Sequence, residues 1–521
     1  MRIPAPGQQR AGSTRTLLSG ADGSVVKRSV LPGGLRVVSE LVPAARSAAV
    51  GFWVGVGSRD ESAKAAGASH FLEHLLFKGT DRRSPFEISA AIESVGGDIN
   101  AFTTAECTCF HARVLADDLP LAIDVLADMI INSKVSAADV DLERGVVLEE
   151  LAMYEDDFAD VAQQSFSSRV YGSSPLATPV IGTSESLRAM PRSTVWRHFR
   201  SNYRPCDVVI AAAGAVDHKR LVTEVRKATG GWLGDPAALP SPTRAARTRA
   251  RRQRAVCGTE VINRSTEQAH VVIGVPGLAR TDERRWALAV LDVALGGGMS
   301  SRLFQEVREK RSLVYTVQTF RSMQSDAGFF GVYVGTAPDK AEQTMQVVRS
   351  VLAEVAANGI SVDEMTRAKG HLRGASVMKS EDPDSRMSRL GEAELLSGNL
   401  LSLDDVITKI DAVTNEEVAS IARDLLSAQH TISVVGPYEA DRKFSQELVD
   451  LGDGAGRSAA QTQKDRKDTG QPNGTKQPKR VSSKKGKKNP EGATQPTAVQ
   501  PTAVQPTAVQ PTGDEQPGGE K

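Results

Sequence analysis

The sequence predicts an α+β protein made of two similar blocks, and three observations lead there. A chain of 521 residues is too long for one ordinary hydrophobic core and divides into two or three domains. Strand and helix patterns run in nearly the same order twice, over about Val26–Leu233 and again over about Thr259–Tyr438. Both runs close alike, with DVVIAAAGAVD in the first and HTISVVGPYEA in the second. Such self-similarity, at a period of about two hundred residues, marks a duplicated unit.

The first block opens with LPGGLRVVSELV, a turn followed by alternating apolar positions (Leu35, Val37), which reads as a strand. Ala48–Val56 is rich in small and β-branched residues and reads as a second strand. Helical spacing covers Ala68–Phe77 and Pro85–Ser94. After Gly96–Gly97, Ile99–Val114 reads as an extended hairpin or long strand, helices dominate Ala116–Arg200, and Asp207–Ala213 is a closing strand. The second block repeats the plan: strand His270–Gly274, helix Arg284–Leu295, glycines 296–298, helix Leu303–Lys310, strands Val314–Phe320 and Gly328–Val334, helices, and strand Thr431–Val435.

The flanks differ in composition. Residues 1–25 read as a disordered leader, with arginines but no apolar core of a secretory signal. The expected domains are then 26–234, a linker at 235–258 and a second domain at 259–440. The linker is rich in Pro, Ala and Arg and reads as a solvated connector. Residues 451–521 lose their apolar side chains and carry KRVSSKKGKK and three PTAVQ units, a composition too polar to offset its ordering entropy.

A formal net charge of +1 excludes a global electrostatic argument for nucleic acid or membrane, beyond non-specific contacts of the basic tail. No stretch is long and apolar enough to span a bilayer. Cys107, Cys109, Cys206 and Cys257 form no CxxC pair and read as reduced thiols, which favours a reducing compartment. The expected location is the cytoplasm. The leader is also poor in acids, so the mitochondrial matrix is the alternative for a eukaryotic source.

The chemistry concentrates in GASHFLEHLLFKGT. On a helix His70 and His74 stand one turn apart on one face, so both imidazoles reach one ion. Glu73 projects from the same side and can contact an attacking water. Two imidazoles, a carboxylate and an open position are the usual catalytic zinc arrangement. H-x-x-E-H is the inverted zincin motif, and the apolar residues around it mean that these polar groups need partners. The third ligand is expected from DVDLERGVVLEELAMYE, where Glu143 and Glu150 lie seven apart on one helix face. Val146, Val147 and Tyr154 share that stripe, which puts Glu150 at an inward position. Glu150 is assigned as ligand and Glu143 as a carboxylate orienting a histidine, with Glu149 on a solvated face.

These residues resemble the pitrilysin or insulinase (M16) family of zinc metallopeptidases, chiefly its short bacterial members and the mitochondrial processing peptidase β subunit. HFLEHLLFKGT, LERGVVLEELAMYEDD, GGDINAFTTAECT and GGGMSSRLFQEVREKRSLVY carry the likeness, which covers about Leu31–Tyr438. The resemblance implies two homologous domains, each a mostly antiparallel sheet packed with helices. It implies one Zn²⁺ per chain on His70, His74 and Glu150, with Glu73 as general base. Asn100 and Ala101 would lie on the edge strand that pairs with substrate backbone. Arg308 and Tyr315 would grip substrate and stabilise its oxyanion. It further implies a homodimer, or a heterodimer with a related chain, acting on peptides or unfolded polypeptides.

The chain departs from the family pattern at Ser312, where glycine is usual, at Asp156-Asp157-Phe158 and at Ser174–Ala177. Two other readings compete with the peptidase: a non-catalytic assembly subunit of the same fold, and nucleic-acid binding through the basic segments, which has no folded motif behind it.

Overall fold

The segment SAAVGFWV lacks any apolar–polar alternation, and the fold supplies the reason: both of its faces are covered. The computed structural model describes residues 2–3, 8–234, 254–439 and 442–444. Residues 235–253, read as part of the linker, and the tail at 451–521 lie outside the described residues. In the first half, seven strands make one sheet: β1 (Thr14–Ser19), β2 (Val25–Val30), β3 (Arg36–Leu41), β4 (Ser47–Val54), β5 (Asp98–Thr103), β6 (Thr108–Leu115) and β7 (Val208–Gly214). Their order is β1-β2-β3-β7-β4-β6-β5. Only β3 and β7 run parallel; the other neighbours are antiparallel.

The second half has β8 (Gly258–Asn263), β9 (Ala269–Pro276), β10 (Val314–Met323), β11 (Gly328–Thr336) and β12 (Thr431–Gly436), in the order β10-β11-β9-β12-β8. Only β8 and β12 run parallel. Strands β3, β7, β4, β6 and β5 therefore correspond in position and direction to β8, β12, β9, β11 and β10. The similar endings of the two blocks are the central strands β7 and β12. This is the α+β, two-domain architecture expected, and both halves lie in one compact unit, Met1–Gly452.

One expectation is corrected. The leader expected to be disordered through residue 25 instead contributes β1 to the sheet edge, pairing with β2 from Thr14↔Ser29 to Ser19↔Val25. Leu17 is its buried anchor, and the Asp22 carboxylate closes the turn by accepting from the Ser24 N–H at 2.9 Å. A six-residue strand with one inward leucine leaves little sequence signal, because its stability comes from the partner strand.

The first five helices are α1 (Ala68–Leu76), α2 (Pro85–Glu93), α3 (Leu119–Asn132), α4 (Ala137–Asp156) and α5 (Phe158–Tyr171). Ala48, Val50, Phe52 and Val54 of β4 pack with Phe71 of α1 and Leu126 of α3. On the opposite face, Ala49 and Trp53 pack with Met387 and Leu390 of helix Pro383–Glu392, which comes from the second half. The exchange is reciprocal: Phe166 and Val170 of α5 cover Val272, Phe329 and Val435 of the second sheet. Glycines permit the close approach. A Cβ on Gly391 would lie 2.3 Å from the Trp53 ring, and one on Gly274 would lie 2.6 Å from Phe166.

Buried charge also joins the halves. Arg59 donates to Glu106 at 2.7 Å and to both Asp326 oxygens at 2.8 and 3.1 Å. Glu106 also accepts from the Ser325 N–H at 2.9 Å. Glu40 of β3 takes Arg386 and Arg389 of the exchanged helix at 2.9 and 2.8 Å.

Candidate metal centre

Helix α1 is buried along most of its length, with Phe71, Leu72, Leu75 and Leu76 fully enclosed. His70 and Glu73, each 5% exposed, are therefore held on a helix that cannot tilt without opening the core. Helix α4 packs across it. Its N-cap is Ser136, whose hydroxyl accepts from the Asp139 N–H, and its buried positions are Val140, Glu143, Val147 and Leu151. Val146, expected on that inward stripe, is 41% exposed. The stripe follows the 3–4 spacing through Val147, so Val146 falls a quarter turn outside it. Glu149 is exposed, as expected.

The two helices bring four groups together. Glu150 Oε1 lies 3.7 Å from His70 Nε2, and Glu150 Oε2 lies 3.4 Å from His74 Nε2. Ligand atoms of His70, His74 and Glu150 all fall within 4.8 Å of one another, the one such group among the described residues. On its other side His74 Nδ1 meets Glu143 Oε1 at 3.0 Å, and Lys78 holds the second Glu143 oxygen at 2.7 Å. Glu73 accepts a 2.5 Å hydrogen bond from Thr103 of β5.

The electrostatics follow from burial and these contacts. Burial, then the neighbouring His74, pushes His70 down to about 4. Burial also opposes the charge on His74, but Glu143 and Glu150 outweigh it and raise the ring to about 9. Burial lifts Glu73 to about 7, against the Thr103 bond. Burial works against the charged forms of Glu143 and Glu150, yet the adjacent His74 leaves both below the ordinary carboxylate range. Glu150 Oε2 and His70 Nδ1 are buried without a hydrogen-bond partner. A buried carboxylate oxygen whose nearest imidazole nitrogen, His74 Nε2, stands 3.4 Å away without a hydrogen bond is costly for a purely structural cluster. A divalent cation would satisfy it, and two nitrogens with one oxygen are the donor set zinc takes. The residues present fit zinc.

Asn100 and Ala101 lie on β5, the outer strand of the first sheet, paired with His111 and Phe110 of β6. The Ala101 N–H is turned to the Asn100 side chain, which accepts it at 2.8 Å. Arg308 and Tyr315 stand together in the second half. The Arg308 guanidinium lies 5.1 Å over the Tyr315 ring and 4.7 Å from Phe304. Phe304–Glu309, expected as an ordinary helix, winds as a π-helix, and Tyr315 is 68% exposed at the start of edge strand β10. Arg308 contacts Phe304, Glu309 and Tyr315, and neither it nor Tyr315 joins the histidine cluster.

Sequence reasoning missed Thr103, Lys78 and Glu61. Thr103 is two residues after Ala101 on β5, so the strand period carried a signal for it, whereas Lys78 lies just past the end of α1. Glu61 sits in a loop, where no period applies.

Known proteins resemble this chain in sequence and fold. The model of the insulinase family, peptidase family M16, matches residues 36–184, and that of the M16 inactive domain matches 190–372. The chain belongs to peptidase family M16. A relative from Streptomyces coelicolor named an uncharacterized zinc protease is 50% identical over 436 residues, spanning 83% of this chain and 94% of the relative. A Bacillus subtilis protein of the same description is 36% identical, over 79% of this chain and 98% of its own. Among solved structures, a protease from Helicobacter pylori superposes with a TM-score of 0.72 at 21% identity, covering 79% of this chain and 99% of that one. A chain of complex III from Candida albicans does so at 0.69 and 20%, covering 81% and 99%. At such identity these two show the fold alone. Among the described residues of this M16 protein, no helix is long and apolar enough to cross a membrane.

Proposed function

We propose that this M16 chain is a zinc metalloendopeptidase cutting peptides or unfolded polypeptides. The observation that carries this is the convergence of His70, His74 and Glu150 beside Glu73. Those three residues would hold one zinc ion, which when bound supplies Lewis acidity toward a water and a peptide carbonyl. Glu143 fixes the His74 ring through Nδ1 and turns Nε2 toward Glu150, where the ring would be able to hold zinc. Glu73, with a pKa near 7, is suited to take a proton from the attacking water and pass it to the leaving amine. Thr103 orients that carboxylate.

An extended substrate would add as a strand beside β5, exchanging the Asn100 side chain for its own carbonyl at the Ala101 N–H. Strand addition favours unfolded chains over folded ones. Arg308 and Tyr315 are assigned to substrate gripping and oxyanion stabilisation in a second subunit, which makes the working form a homodimer or a heterodimer with a related chain. Cytoplasmic location belongs to the same reading. The alternative, a non-catalytic assembly subunit, draws on the match to the M16 inactive domain and on the fold shared with the complex III chain, and the complete set of zinc-type residues weighs against it.

The deciding experiment is metal analysis and peptide turnover of Glu73→Gln. Zinc should stay bound while turnover falls by about 100-fold or more. Undiminished turnover removes Glu73 from the role of base. Wild-type protein with no zinc, and no activity on adding it, removes the peptidase reading. Mixing Glu73→Gln with Arg308→Ala protein should restore activity if sites are shared, and no recovery argues against sharing.

A further inference from the structure

Helix α1 carries both histidines and the glutamate, so its rotation about its axis sets where they point. Its N-cap is Gly67, in the left-handed region at φ 90°, with no side chain to close the first turn. The open N–H groups are met from upstream. Glu61 Oε2 accepts from the Gly67 N–H at 2.7 Å, and Glu61 Oε1 accepts from the Ser69 N–H at 2.6 Å. A carboxylate taking two backbone donors at a helix N-terminus also sits at the positive end of the helix dipole. The second bond ends on the residue before His70.

Glu61 is itself held in place. The Ser58 N–H donates to the Thr104 carbonyl at 3.2 Å and the Arg59 N–H to that of Ala105 at 3.1 Å. The Arg59 side chain is locked in the buried cluster with Glu106 and Asp326. The same turn follows directly on Thr103, which grips Glu73. One scaffold thus fixes both the start of the metal helix and the orientation of the base.

We propose that Glu61 is a positioning residue of the metal centre, holding α1 at the rotation where His70 and His74 share one ion. This rests on the zinc reading above. Glu61 works through the backbone of Gly67 and Ser69 rather than through the ligand side chains. Removing it lets the first turn fray and spreads the His70 ring over more orientations, which lowers metal affinity without removing a ligand.

The test compares full-length wild type, Glu61→Ala, Glu61→Gln and a control, Thr414→Ala. Thr414 caps helix Asn415–Leu426 in the second half by accepting from the Glu417 N–H. Zinc affinity is read by competition with a chromophoric chelator, coordination by the visible absorption of Co²⁺-loaded protein, and folding by circular dichroism. Glu61→Ala should weaken zinc binding about 10- to 100-fold and alter the Co²⁺ spectrum. Glu61→Gln keeps one acceptor and should fall between it and wild type. Thr414→Ala should lower the apo-protein Tm while zinc affinity stays within about twofold. Folded Glu61→Ala that binds zinc like wild type overturns the proposal. If Glu61→Ala does not fold, Glu61→Gln with unchanged zinc affinity overturns it equally. Wild-type protein that binds no zinc overturns the metal reading, and this inference with it.

Discussion

Replacing Gly391 by alanine tests the exchange of helices between the two halves, and the sign of the effect decides it. Gly391 lies near the end of helix Pro383–Glu392. On an exposed helix the change should stabilise by about 1 kcal/mol, because alanine is the better helix former. Here the added Cβ would stand 2.3, 2.4 and 2.6 Å from three atoms of the Trp53 indole, which is fully buried and donates to Met387 Sδ at 3.1 Å. No real Cβ sits that close, so the helix must lift from β4 or the indole must turn. Overpacking of a dense core typically costs about 1–3 kcal/mol, and losing the indole's partner adds about 1 kcal/mol. The net expectation is a loss of about 1–3 kcal/mol after the propensity gain is subtracted. Gly370→Ala, in helix Val362–Glu381, is the internal control: nothing lies within 4 Å of its added Cβ, so it should stabilise. Urea unfolding of both variants and wild type, followed by circular dichroism, gives the midpoints. A Gly391→Ala protein as stable as Gly370→Ala would refute the tight seating of this helix on the first sheet.

Three further outcomes follow from buried or strained groups. His218, between Ser29 and Ser39, and His430 are both lowered to about 4 by burial; the unfolded chain then binds more protons from about pH 6.5 down to 4, so stability should fall across that window by on the order of 2–3 kcal/mol for each, and His218→Gln should flatten the slope in urea titrations. Asp326→Asn weakens the buried pairing of Arg59 and should cost about 2–4 kcal/mol; an unchanged urea midpoint would show that Glu106 alone suffices. Ser312 sits at φ 50°, where glycine carries no Cβ penalty, so Ser312→Gly should raise Tm slightly, by up to about 1 kcal/mol in stability, and a fall in Tm would mean the serine makes a contact worth more than its strain.

Much of the candidate site was legible because it depends on local periods. The spacing of His70, Glu73 and His74 is a property of any helix, and the seven-residue step from Glu143 to Glu150 placed both on one face. Asn100 and Ala101 came from motif likeness, and strand order put them on an outer edge. Val146 shows the limit of such reasoning: a face of α4 was identified, but its width depended on what packs against it.

The sequence by itself determined the duplication, the run of strands and helices, and the two imidazoles with their neighbouring glutamate, because these rest on short-range spacing. Tertiary structure alone decided that each sheet is covered by a helix of the other half, that β1 belongs to the sheet, and that Glu61 closes the first turn of α1. Those arrangements depend on contacts between segments far apart in the chain, such as Trp53 with Met387 and Arg59 with Asp326. A local pattern shows that a face is buried; only the folded chain shows what buries it.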